Sequence, residues 1–107
     1  MLESEYQAKL IKRLQDQFHG CVVFKNDASY RQGIPDLTVL FPGGFWAVLE
    51  VKRSEREPQR SNQSYYIGLL DEMSFAAFIY PENEEGIFRD LQRAHEAVRS
   101  TRFFESK

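Results

Sequence analysis

Asp36, Glu50 and Lys52 are the residues of this chain whose types and spacing could do chemistry together. Asp36 closes the run Gly33-Ile34-Pro35-Asp36, and Glu50 and Lys52 bracket Val51. Between the two motifs, apolar runs flank Pro42-Gly43-Gly44, a turn-forming triplet. A hairpin centred on Gly43 sets Asp36 opposite Glu50, because both are equally far from the turn. Alternation then puts Lys52 on the same face. Two carboxylates about 4 Å apart repel by about 1 kcal/mol in water and about 4 kcal/mol at an effective dielectric of about 20. Such a pair needs a proton or a cation between its members. Lys52 compensates in part, and a divalent ion with hard oxygen ligands does so more fully.

Mg²⁺ or Mn²⁺ held by Asp36, Glu50 and the Val51 carbonyl would acidify a bound water and stabilise a phosphorane-like transition state. Lys52 would orient or help deprotonate the attacking water, or neutralise the phosphate. The pattern therefore points to metal-assisted phosphodiester hydrolysis. The plainer reading is a surface ion pair between Glu50 and Lys52 beside a turn made by Pro35 and Asp36. It suits either motif alone, but not the register that joins them.

The elements that must position these residues are legible from periodicity. Leu2, Tyr6, Leu10, Ile11, Leu14 and Phe18 recur at helical spacing, and His19-Gly20 ends the pattern. Residues 21–24 are a short β-branched run, expected as a strand opening on a buried Cys21. Residues 25–33 are polar and read as a loop. The hairpin strands are expected over 36–41 and 45–51. Leu37, Val39, Phe41, Phe45, Ala47, Leu49 and Val51 form one apolar face. Asp36, Thr38, Leu40, Trp46, Val48, Glu50 and Lys52 form the other, charged at its far end.

After a charged connection over 53–58, a helix is expected over 59–72, with Tyr66, Ile67, Leu69, Leu70 and Met73 apolar. A strand follows over 75–80, then a helix over 84–99. The tail over 101–107, with Phe103 and Phe104, is expected to order only by docking. The order is α-β-β-β-α-β-α. The strand ending near Glu50, the next helix and the strand at Phe75 suit a parallel, right-handed crossover. One small α/β domain spanning 1–107 is expected, with a mixed sheet flanked by helices.

The bulk properties narrow the class without naming it. At 107 residues, 42% apolar and 28% charged, the chain suits an ordinary globular domain. Its formal charge of −2 excludes a coat of positive charge, so nucleic acid would need a local cationic patch or metal ions. One cysteine excludes an internal disulfide and suits a reducing, intracellular setting. No apolar run is long enough to span a membrane and no signal peptide is visible, so no membrane partner is expected.

With these motifs in place, the chain resembles the PD-(D/E)xK nucleases. It is most similar to the small VRR-NUC and phage Holliday-junction-resolvase-like members. The matching residues run from Gly33-Ile34-Pro35-Asp36-Leu37 through Leu49-Glu50-Val51-Lys52-Arg53 to Asn62-Gln63. The resemblance covers about residues 2–80 and implies a restriction-endonuclease-like core, with the last helix an addition. It implies Asp36 and Glu50 as metal ligands, Lys52 as the catalytic lysine and Gln63 as an accessory active-site residue. It also implies a first-helix glutamate, Glu3 or Glu5. Glu3 lies about 20° from Leu10 on the helical wheel and Glu5 about 140° away, which favours Glu3. Against this, Ser4-Glu5-Tyr6-Gln7 could be a capping box that starts the helix later.

The implied activity is a Mg²⁺-dependent or Mn²⁺-dependent DNA endonuclease. It would be selective for branched or junction DNA, since so small a chain has little room to read a long sequence. Symmetric cutting would need a homodimer. The setting would be intracellular, including that of a phage protein in a bacterial host. The alternative is a binding module on the same fold that does not cleave. Lys25, Arg31, Arg53, Arg56 and Arg60 flank the motifs and are the candidate DNA contacts. Tyr30, Tyr65 and Tyr66 could stack on bases, with core or rim packing more expected for Tyr66. His19 and His95 lack ligand spacing and are expected at the surface.

Overall fold

The computed structural model describes the backbone of residues 1–105 and the side chains of residues 1–101. Its elements are α1 (Glu3–Gln17), β1 (Val22–Lys25), β2 (Leu37–Leu40), β3 (Trp46–Val51), α2 (Ser61–Met73), β4 (Phe75–Ile79) and α3 (Glu84–Glu105). The four strands form one mixed sheet in the order β1-β2-β3-β4. The first three are antiparallel, and β4 runs parallel to β3 after the α2 crossover.

The hairpin has the expected register. Leu37 pairs with Leu49 and Leu40 with Trp46. Gly43 and Gly44 both have φ near +95° (95° and 94°), a region closed to most side chains, and Phe41 N–H donates to the Phe45 carbonyl at 2.9 Å beyond the last bridge. Alternation then sorts the faces. Leu37, Val39, Phe41, Phe45, Ala47, Leu49 and Val51 are all buried. Tyr6, Leu10, Leu14 and Phe18 of α1 and Phe88 and Leu91 of α3 cover them in one core. Fully burying a leucine such as Leu10 or Leu14 contributes about 1.5–3 kcal/mol.

A polar latch ties α1 to the start of α3. Arg13 donates to Glu84 at 2.5 Å and to Glu85 at 2.7 Å, and its guanidinium lies 3.9 Å from the Phe88 ring centre. Tyr6 donates its hydroxyl proton to Glu84 at 2.8 Å. Burial and that acceptor both raise the Tyr6 pKa.

The opposite sheet face is covered unevenly. Val48, Glu50 and Ala76 are buried there. Val22, Phe24 and Leu40 on β1 and β2 are exposed. No side chain of α2 is fully buried, and Met73 is exposed rather than packed.

Three local expectations are corrected. The last helix runs on to Glu105 rather than ending at Arg99, because 101–105 continues a helical backbone; the side chains of Phe103 and Phe104 lie outside the described residues. His95 is not a free surface residue. Its ring stacks on Phe45 at 5.9 Å and lies 4.9 Å from Phe41, with Nε2 3.0 Å from the Pro42 carbonyl. Cys21 is half-buried rather than fully so, and its thiol faces the Leu14 carbonyl at 3.4 Å. Among the described residues no helix is long and apolar enough to cross a membrane.

Candidate active site

Pro35 decides the backbone chemistry at the open end of the hairpin. The β2–β3 register, carried past its last bridge, sets Asp36 opposite Glu50 and Pro35 opposite Val51. Val51 is a residue whose N–H and C=O both point toward β2, as in any hydrogen-bonded antiparallel pair. Pro35 has no N–H, so it cannot extend the ladder by donating to Val51. The Pro35 carbonyl is taken instead by the Asn26 side chain at 2.9 Å. The Val51 N–H, freed from the ladder, donates to Asp36 Oδ2 at 2.8 Å. Asn26 N–H also donates to the Asp36 carbonyl at 2.8 Å, which clamps this residue from the β1 side. Asn26 had no signal in the sequence beyond its place in a polar loop.

Glu50 and Lys52 follow on the same face as Asp36 and are each only 5% exposed. Gln63, in the first turn of α2, joins them. Its Nε2 donates to Glu50 Oε2 at 3.0 Å, and its Oε1 accepts from Lys52 Nζ at 2.8 Å and from the Arg60 N–H at 3.1 Å. The last contact is the glutamine half of a capping box, since an arginine side chain at the cap has no acceptor to complete it. One amide side chain thus caps α2 and fixes both charged groups. Lys52 Nζ also donates to the Pro58 carbonyl at 3.1 Å and lies 3.6 Å from Glu57 Oε2. Three acceptors around one Nζ make Lys52 a donor here.

Glu50 Oε1 is buried and has no hydrogen-bond partner among the described residues. Burial, then the neighbouring Asp36 charge, push the Glu50 pKa up to about 8. A protonated Glu50 can donate to Asp36, which neither carboxylate can do when ionised. Burial also raises the Asp36 pKa, against the opposing pull of the Val51 N–H and Lys52. The site therefore holds more negative charge than its own cations satisfy.

The helix α1 begins at Glu3, so Ser4 does not cap it. Glu3 is half-buried, and burial, followed by the charges of Glu57 and Asp36, raises its pKa. Glu5 is exposed. Glu57 was not singled out in the sequence. It sits in a charged connection with no periodicity, and only the loop conformation brings it to Lys52 and to Arg53, which donates to it at 3.1 Å. Among the described residues no group of three or more His, Cys, Asp or Glu side chains is gathered as a metal cage.

The flanking cations do not form one cluster. Arg53, engaged by Glu57, and the exposed Arg56 border an open hollow of about 410 Å³ with Met1, Ser54 and Pro58. Arg60 is exposed at the start of α2, and Arg31 is exposed with its guanidinium 3.4 Å from the Tyr66 hydroxyl. Lys25 is exposed at the end of β1. The loop carrying Arg31 closes on α2 at Gly33, which has φ +90° and where a Cβ would stand 2.8 Å from Asn62 Cγ.

Neither a family model nor a curated protein matches the sequence. Among solved structures the chain is similar to one described as "VRR_NUC domain", at 25% identity with a TM-score of 0.54. The match covers 68% of this chain and 81% of that one. The chain has a nuclease-like α/β fold of that kind, with its four-stranded mixed sheet and three helices.

Proposed function

We propose that the chain is a metal-dependent deoxyribonuclease that hydrolyses phosphodiester bonds in branched or junction DNA. The observation that carries this reading is Glu50: a buried carboxylate, one oxygen unpartnered, facing Asp36 beside a constrained lysine. Asp36, Glu50 and the Val51 carbonyl are hard oxygen donors. Mg²⁺ and Mn²⁺ are commonly held by one or two carboxylates together with waters and substrate phosphate, so a closed protein cage is not needed. When bound, the ion supplies charge for the scissile phosphate and an acidified water.

The chain's own groups do the rest. Asp36 and Glu50 converge from two strands, fixed by Val51 N–H and by Gln63. Lys52 presents an ammonium whose weakest partner is Glu57, at 3.6 Å. A phosphate oxygen can replace Glu57 there and be neutralised. The water oxygen bonds to phosphorus as the P–O bond to the leaving sugar oxygen breaks; the attacking water gives one proton to solvent and the sugar oxygen takes one from solvent water, leaving a phosphate monoester and a free hydroxyl. Glu3 supports the acidic side of the site. Arg31, Arg53, Arg56, Arg60 and Lys25 supply backbone contacts. Cutting both strands with one site per chain requires two copies, so the reading includes a homodimer.

Cleavage of junction, flap and linear DNA with Mg²⁺ or Mn²⁺ tests the proposal, comparing wild type with Lys52→Ala and Asp36→Ala. Metal-dependent cutting lost in both variants supports it. Tight DNA binding without cutting under any of these conditions would instead identify a binding module.

A further inference from the structure

Beside the charged cluster lies a second surface of different chemistry. Tyr30 is 82% exposed and Tyr65 is 63% exposed, values that packing does not explain for such large rings. They sit on two elements that the structure brings together. The loop bearing Tyr30 packs on the first turn of α2 where Gly33 meets Asn62, and Arg31 reaches the Tyr66 hydroxyl. Tyr65 stands edge-on to Tyr66, ring centres 5.2 Å apart, which braces it while leaving it open to solvent. Arg31 and Arg60 are exposed on the same two elements, and the first turn of α2 carries no acidic residue. Asp27, the acid of the loop, is occupied by Ser29 at 2.6 Å. Gln63 of the candidate site lies on the same helix, two residues before Tyr65.

We infer that Tyr30 and Tyr65 form a stacking shelf for an unpaired nucleic-acid strand leaving the candidate active site. Bases of a duplex are stacked on one another and offer no free face, whereas splayed bases stack on aromatic rings whatever their sequence. Arg31 and Arg60 match the backbone phosphates that accompany those bases. This deepens the proposed function by naming single-stranded character as the feature of branched DNA that is recognised.

The test is equilibrium binding in EDTA, by fluorescence anisotropy, of a labelled oligothymidylate and of a duplex of equal length. All variants carry Lys52→Ala, so no result depends on cleavage. Combining Tyr30→Ala with Tyr65→Ala should weaken single-strand binding by about tenfold or more and leave duplex binding unchanged. The matching pair of Tyr→Phe changes should retain single-strand binding. Equal losses on both ligands, or no loss on the single strand, would overturn the shelf. Both residues are exposed, so the substitutions leave the core intact. Failure of the nuclease reading would show in cleavage assays and leave this comparison standing.

Discussion

Val51 N–H donates to Asp36 Oδ2 at 2.8 Å, one residue past the last bridge of the β2–β3 pair. The Pro35 carbonyl is taken by the Asn26 side chain, and Pro35 has no N–H with which to extend the ladder. A segment that looks like turn chemistry in the sequence thus ends the ladder and turns a backbone donor to the Asp36 carboxylate.

The raised carboxylate pKa values predict how stability follows pH. A carboxyl whose folded pKa is raised binds protons more tightly in the native state. Its stabilising contribution is complete below the unfolded value and is lost as pH rises through the folded one. For Glu50 that window runs from 4.5 to about 8. Asp36 and Glu3 act in the same direction. In EDTA, the melting temperature should fall between pH 5 and pH 9. Mg²⁺ or Mn²⁺ should restore it most at the alkaline end, since binding displaces the proton. A melting temperature that rises across this range in EDTA would contradict the assignment.

If Lys52 receives a phosphate as proposed, Glu57 competes for its ammonium. Glu57→Gln removes a negative charge beside Lys52 and releases Arg53. It should tighten DNA binding severalfold, with a steeper loss at high salt than a variant lacking Arg53. Titration of labelled DNA at several salt concentrations reads this directly; weaker binding would show that Glu57 serves the substrate rather than excludes it.

Gln63 links Glu50, Lys52 and the start of α2. Gln63→Leu leaves two buried charged groups short of a partner, at a cost of about 1–3 kcal/mol in stability. If Asp36 and Glu50 hold a metal as proposed, the same change should lower activity by about 10–100-fold, the usual cost of losing a residue that orients a metal ligand. Urea denaturation and single-turnover kinetics check the two effects separately.

Gly33 tests how tightly the loop must close on α2. Gly33→Ala forces a side chain into φ +90° and toward Asn62. A loss of about 1–3 kcal/mol is expected from the strained backbone and the clash, measured by thermal or chemical unfolding. Unchanged stability would mean that the loop opens freely.

The hairpin and its register were legible because a Gly-Gly turn and strict alternation leave few alternatives. The pairing of Asp36 with Glu50 followed from that register, as did the seven-residue apolar face from Leu37 to Val51. The contacts of Gln63 came from the fold, since one helical polar residue resembles any other until its neighbours are known. Glu57 and Asn26 were not legible, because both lie in irregular segments where no period constrains direction. His95 was misplaced for a related reason: its aromatic partners Phe41 and Phe45 come from a hairpin far away in sequence.

In the proposed reaction, Glu50 is buried at a cost to stability because its charge is needed there. Glu50→Gln keeps the shape, lets Asp36 receive a hydrogen bond and removes the repulsion. Parallel measurement of melting temperature in EDTA at pH 8 and of single-turnover junction cleavage with Mg²⁺ tests this most directly. The variant should melt at or above the wild-type temperature while cleavage falls by about a hundredfold or more. Cleavage at the wild-type rate, with the variant folded, would contradict the account.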